Sequence, residues 1–170
     1  MSAAVFFRPF MAGDAVQLAL QPSQHVALGM MRPFRDIEDG RELEAGGPAW
    51  TAIAGGRIVC CAGFSEIFPA SEKSGGHAVA WALLAGGIGA AHLAVTRFAR
   101  RQFEESSYSR IEAIVRAAIA GECKWPKLIG MQFAATLRNY GPEAETHLLF
   151  ERVKEGPAFA AGPSTPTGAR

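Results

Sequence analysis

The stretch LLAGGIGA, residues 83–90, joins an apolar segment to an amphipathic one and decides the fold of this chain. The segment before it, residues 77–84, is apolar almost throughout, which favours a buried β-strand. The segment after it, residues 90–103, repeats apolar residues at helical spacing. The glycines between them let backbone N–H groups approach a phosphate beside the positive end of the helix dipole. The same glycines also suit a flexible strand-to-helix turn that binds nothing.

The segments on either side of this unit alternate between strand and helix composition. Strand composition is found in residues 5–10, 50–54, 57–64, 110–116, 131–137 and 146–153. Helix composition is found in residues 15–20, 24–31, 36–45 and 117–129. Gly55-Gly56 predicts a two-residue hairpin turn between two of the strands. The order predicts an α/β (α+β) fold, a mixed, mostly antiparallel sheet of about seven strands flanked by helices.

The composition excludes several classes of protein. Lys and Arg number 17 against 16 Asp and Glu, a near-neutral balance that argues against direct nucleic-acid readout. Apolar residues make up 49% of the 170, which is enough for a core. The sequence has no run of about 18 apolar residues, so no membrane span is predicted. The start of the sequence lacks the pattern of a signal peptide. We expect one domain over residues 1–154 and a mobile Gly/Pro/Ala-rich tail over residues 155–170.

Cysteine and histidine give no sign of a cross-link or a metal. Three cysteines make no disulfide framework, and the neighbours Cys60 and Cys61 should point to opposite faces of a strand. The four histidines are scattered and none stands at the spacing of a metal site. We therefore expect a reduced protein without a metal.

Three stretches resemble the GNAT family of N-acetyltransferases. Residues 5–9 followed by Asp14 are similar to its first strand and helix, residues 83–90 to its acyl-CoA loop, and residues 128–133 to the exit from its last helix. The resemblance spans residues 5–153 and implies a GNAT-like fold, with acetyl-CoA as a candidate cofactor. It implies that the cofactor-binding residues are Leu83, Leu84, Gly87, Gly89 and Ala90.

The sequence departs from the family pattern at two positions that matter for chemistry. Leu84 stands where the family loop has Arg or Gln. Pro126 stands four residues before Gly130, where many members have a tyrosine that protonates the leaving thiolate, and proline has no proton to give. Proline should also kink or shorten the helix.

Other residues could move the protons, since acetylation of an amine needs both a base and an acid. The candidates are Glu66, Glu112 and Tyr140. The two glutamates could instead be solvated surface carboxylates, and Tyr140 lies in a predicted turn. Trp125 reads as part of the core or of a pocket wall.

Three further stretches, residues 48–52, 80–84 and 125–142, are similar to GNAT-like proteins encoded by tailed bacteriophages, including short-tailed ones. That resemblance implies a virion-associated interaction component, in the tail, connector or interior, with degenerate catalysis. It would be found in the virion or the host cytoplasm and contact other virion proteins through the tail and a low-charge surface.

The alternative is an active acetyl-CoA-dependent N-acetyltransferase. An open cleft between strands 77–84 and 110–116 would give CoA a place to bind, whereas a filled cleft would not.

Overall fold

A computed structural model describes residues 4–24, 36–71 and 75–154. The described strands are β1 (Val5–Pro9), β2 (Ala49–Ala54), β3 (Arg57–Phe68), β4 (His77–Leu84), β5 (Arg110–Arg116), β6 (Gln132–Leu137) and β7 (His147–Val153). The described helices are α1 (Ala12–Gln17), α2 (Ile37–Ala45), α3 (Ala91–Glu105) and α4 (Ala120–Leu128), with a 3-10 turn at Pro22–Gln24. The predicted fold class, a mostly antiparallel sheet of seven strands with flanking helices, is confirmed.

The seven strands form one sheet in the order β1-β2-β3-β4-β5-β7-β6. Neighbours are antiparallel except β4 and β5, which are parallel. These two pair at only three positions, from His77 opposite Arg110 to Val79 opposite Glu112. Beyond Val79 their pairing ends, so the sheet is split on one side of its centre.

Helices cover both faces of the sheet. Ala15 and Leu18 of the α1 segment pack against Trp81 and Leu83 on one face. On the other face, α3 and α4 pack against β3, β4 and β5. Cys61 packs on the α1 face of the sheet and Cys60 on the α3 face, which confirms that the two side chains point to opposite faces. Burial raises the pKa of Cys61 to about 12 and that of Cys60 further, so both stay neutral thiols.

The first helix differs from its prediction over residues 15–20. It begins at Ala12 with Met11 as the N-cap, and Asp14 lies inside its first turn. The Asp14 carboxylate accepts the N–H of Met11 at 3.0 Å and both terminal nitrogens of Arg8. The helix ends early because Leu18 is already extended and Leu20 forms a bridge with Ala85 of the sheet.

Other boundaries moved by a few residues. β3 runs to Phe68, beyond the predicted end at residue 64, because it keeps pairing with β4. The last helix begins at Ala120 rather than residue 117, since Ala117 donates its N–H to the carbonyl of Thr146. Pro126 lies inside this nine-residue helix.

Two predicted features lie outside the described residues. They are the main part of the helix predicted over residues 24–31 and the tail over residues 155–170. In the described part, no helix is long and apolar enough to cross a membrane, and no cluster of His, Cys, Asp or Glu could hold a metal ion.

Candidate functional site

A cavity of about 880 Å³ opens where β4 and β5 separate. Ala80 and Ala82 follow the last paired residue of β4, and their small side chains leave space that larger ones would fill. Ala113 and Val115 line it from β5, with Trp125 from α4. The cavity is a consequence of the short parallel pairing. The divergence expected of an open cleft is therefore present.

The glycine turn lies between β4 and α3. Gly87 and Gly89 have φ angles of 70° and 52°, in the left-handed region that favours glycine. A Cβ atom added at Gly86 or Gly87 would meet no atom within 4 Å, so the space in front of the turn is open.

This turn presents unused backbone donors. Ala90 is the N-cap of α3 and contributes no side-chain cap. In the described part of the chain, the N–H groups of residues 87–90 have no protein acceptor. Free N–H groups at the positive end of a 15-residue helix can hold an anion without a charged side chain, so residues 87–90 are a candidate anion site.

The edge of β4 that faces the cleft carries backbone groups that do not pair with β5 and that bind a side-chain amide instead. The side chain of Gln24 donates from Nε2 to the carbonyl of Ala82 at 2.8 Å. Its Oε1 accepts the N–H of Leu84 at 2.7 Å. A pantetheine arm contains two amides with the same donor and acceptor groups. The chemistry of this edge therefore fits the cofactor implied by the resemblance.

The structure places the five predicted cofactor residues in three different environments. Leu84 lines the cavity, and Gly87, Gly89 and Ala90 form the turn and the start of α3. The side chain of Leu83 is instead buried in the core beside α1 and does not line the cavity. The role of all five in binding stays a prediction.

Of the three predicted proton-transfer residues, only Tyr140 lines the cavity. Glu66 accepts a hydrogen bond from the hydroxyl of Tyr108 at 3.3 Å. Burial raises the pKa of Tyr108, and the charge of Glu66 raises it further.

Glu112 lies on β5, outside the cavity lining. Its Oε1 is 2.6 Å from Nε of Arg110 and 3.4 Å from Nε2 of His77. The Arg110 guanidinium neutralises the carboxylate, so its environment is that of a structural ion pair rather than an exposed base.

A polar group that was not predicted from the sequence lies at the β5–β7 end of the cavity. His147 lies there with its ring 5.3 Å from that of Tyr140, and its buried Nδ1 has no partner among the described residues. Arg116 pairs with Glu122 in the same wall, with its Nε 3.2 Å from the carboxylate. The sequence indicated these residues only by their positions at the ends of strands, since His147 begins β7 and Arg116 ends β5.

The α4 wall of the cavity contains Trp125 and Pro126, as predicted for Trp125. The indole of Trp125 donates to the hydroxyl of Thr96 at 2.9 Å, which links α4 to α3. Pro126 is buried and offers no proton. If chemistry takes place here, the acid must come from another wall.

Comparison with known proteins identifies the fold. No family model and no curated protein matches the sequence. Solved structures do match, among them an acetyltransferase of the GNAT family from Bacillus anthracis, at 15% identity and a TM-score of 0.62 over 90% of this chain and 96% of that one. A ribosomal-protein-alanine N-acetyltransferase from Brucella melitensis matches at 16% identity and a TM-score of 0.64, over 88% and 99% of the two chains.

A Salmonella typhimurium protein designated an acetyltransferase, solved with acetyl-CoA as its cofactor, matches at 13% identity and a TM-score of 0.69, over 93% and 99% of the two chains. At such identities these likenesses establish the GNAT fold and leave the activity to the site.

Proposed function

We propose that this protein is an acyl-CoA-dependent N-acyltransferase that uses acetyl-CoA. The observation that carries the proposal is the separation of β4 from β5 after Val79, which opens a cavity of about 880 Å³. No side chain of the described residues fills this opening. An open cleft favours the enzyme over a purely structural protein.

Each part of the cofactor has a counterpart in the chain. The free N–H groups of residues 87–90 would hold the pyrophosphate, and the β4 edge at Ala82 and Leu84 would pair with a pantetheine amide. When bound, acetyl-CoA supplies an activated acyl group as a thioester. Backbone groups alone supply these contacts, so Leu84 in place of Arg or Gln does not remove the site.

The reaction forms a carbon–nitrogen bond and breaks the carbon–sulfur bond. The attacking amine loses a proton and the departing thiolate gains one. His147 and Tyr140 lie together on the cavity wall. An imidazole can take a proton near neutral pH and a phenol can give one, so this pair replaces the tyrosine that the family has at the position of Pro126.

The virion role stays a prediction. Its support is the similarity of short stretches to phage proteins, and its docking segment, residues 155–170, lies outside the described residues. The phage origin, the partners and the location in virion or host cytoplasm depend on the same similarity.

Titration calorimetry with acetyl-CoA tests the proposal, with Gly87→Trp as the variant. Gly87 and Gly55 have similar φ angles, 70° and 56°, and open space around a Cβ at both, so Gly55→Trp in the β2–β3 turn is a matched control for backbone strain. We expect micromolar binding to the natural protein and to Gly55→Trp. Gly87→Trp should weaken binding at least tenfold, because the indole fills the space before the turn. No binding to the natural protein at millimolar acetyl-CoA would contradict the proposal.

A further inference from the structure

Gln24 ends the 3-10 turn that follows α1 and reaches across to β4. Its side chain is among the few buried polar ones, with 8% of the residue exposed. The carboxamide makes two hydrogen bonds, to the carbonyl of Ala82 at 2.8 Å and from the N–H of Leu84 at 2.7 Å. The backbone N–H of Gln21 donates to the carbonyl of Leu84 at 2.9 Å and holds the segment against the strand.

The two hydrogen bonds of the Gln24 carboxamide have the same pattern as those that the backbone of a neighbouring strand would make. One amide donates to a residue and accepts from the residue two positions later, the alternation by which backbone strands pair. Without Gln24, the carbonyl of Ala82 and the N–H of Leu84 would lose their hydrogen bonds at the point where β5 has moved away. Ala82 and Leu84 are half-buried, and backbone groups partly shielded from water still need partners, so the contact has a stabilising role while the cleft holds no ligand.

We propose that Gln24 is an internal competitor for the pantetheine edge of β4, and that acyl-CoA binds only after its carboxamide leaves. This inference rests on the proposed function, because it needs a cofactor amide to use the same edge. The two amides cannot both occupy the Ala82 carbonyl and the Leu84 N–H as these are paired here. Binding of the cofactor therefore carries the cost of breaking the contacts of Gln24.

Release of Gln24 also affects a contact with β5, on the opposite wall of the cleft. Arg116 of β5 donates a hydrogen bond to the carbonyl of Ser23, the residue before Gln24, and pairs with Glu122. Movement of this segment breaks the contact between Ser23 and Arg116, which bridges the two diverging strands. Cofactor binding would then leave the guanidinium of Arg116 paired with Glu122 alone, near His147 and Tyr140.

The test compares Gln24→Ala with Ser23→Ala, which removes a hydroxyl but keeps the carbonyl that Arg116 uses. The dissociation constants of three compounds are measured by calorimetry: acetyl-CoA, pantetheine, and adenosine 3′,5′-bisphosphate, which lacks the pantetheine arm. Gln24→Ala should bind acetyl-CoA and pantetheine about tenfold more tightly, within the roughly 5- to 150-fold that two net hydrogen bonds allow. Its affinity for the bisphosphate, and all affinities of Ser23→Ala, should not change.

The outcomes separate this inference from the proposed function. One outcome is that acetyl-CoA binds the natural protein and binds Gln24→Ala with equal or lower affinity. That result overturns the role of Gln24 and leaves the proposed function standing. Binding seen only with Gln24→Ala supports both. No binding to either protein at millimolar ligand refutes both.

A measurement on the natural protein avoids dependence on the folding of the variant. The side-chain amide protons of Gln24, observed by NMR, should lose protection from solvent exchange when pantetheine saturates the protein. Unchanged protection at saturation would overturn the inference, since the carboxamide would then still be paired.

Discussion

Asp14 joins α1 to the sheet through a buried carboxylate, and Asp14→Asn tests how much this contact stabilises the protein. Only 1% of the residue is exposed. Its oxygens accept two hydrogen bonds from Arg8, at 2.6 and 2.7 Å, and one from the hydroxyl of Thr51 at 2.6 Å. The amide of asparagine keeps the shape but removes the charge that Arg8 pairs with.

The cost can be estimated from the environment of the pair. Loss of one partner of a buried ion pair costs about 3–5 kcal/mol. The side chain of Arg8 is 26% exposed, so water can solvate part of its charge and the lower end applies. We therefore expect Asp14→Asn to lower the free energy of unfolding by about 3 kcal/mol. For a domain of this size that corresponds to a fall in Tm of roughly 6–12 °C.

The effect should depend on pH. Burial raises the pKa of Asp14, but the hydrogen bonds from Arg8, Thr51 and the N–H of Met11, together with the charge of Arg8, outweigh it and lower the pKa below its ordinary value. A carboxyl with a lowered folded pKa stabilises the protein above its unfolded pKa near 4, and the stabilisation is lost as the pH falls below that value. The natural protein should thus lose more stability in acid than Asp14→Asn does.

Urea unfolding followed by circular dichroism at pH 7 and near pH 3 measures both effects. The control is Glu38→Gln, whose partner is Arg41. These side chains are 66% and 61% exposed, and such pairs contribute at most about 1 kcal/mol. Surface substitutions usually change the free energy of unfolding by less than about 0.5 kcal/mol. If Asp14→Asn lowers the free energy of unfolding at pH 7 by less than that, the reasoning is refuted.

Two further predictions concern the residues proposed for proton transfer. Tyr140→Phe should lower the rate of acetyl transfer to a primary amine about 100-fold, within the range of general acid catalysis, and leave the Kd for acetyl-CoA unchanged. The same change at Tyr108, which bonds Glu66 outside the cavity, should leave the rate unchanged, and equal effects at both positions would contradict the assignment. Glu112→Gln should keep the rate and lose about 1 kcal/mol of stability through its ion pair with Arg110, measured by urea unfolding. A large fall in its rate with normal stability would make Glu112 the base instead.

The sequence was informative where local chemistry alone determines the structure. Gly55 and Gly56 form the predicted hairpin turn with positive φ angles of 56° and 74°, because few other residues adopt them. The turn at Gly87 and Gly89 follows from the same property. The alternation of Cys60 and Cys61 follows from the two-residue period of a strand.

Long-range contacts explain what the sequence left undetermined. Nothing near Gln24 in the chain shows that its side chain pairs with a strand about 60 residues away, at Ala82 and Leu84. The position of His147 beside Tyr140 depends on the register of β7 against β5 and β6. The predicted start of the first helix was wrong because Asp14 bonds a residue before the helix, Arg8, and another on β2, Thr51.

The central claim is that acetyl-CoA occupies the cleft between β4 and β5. Backbone amide chemical shifts recorded by NMR during an acetyl-CoA titration test it most directly. The account predicts saturable shifts concentrated at residues 80–84 of β4 and residues 86–90 of the glycine turn. Saturable shifts on another surface, or none at millimolar acetyl-CoA, would contradict it.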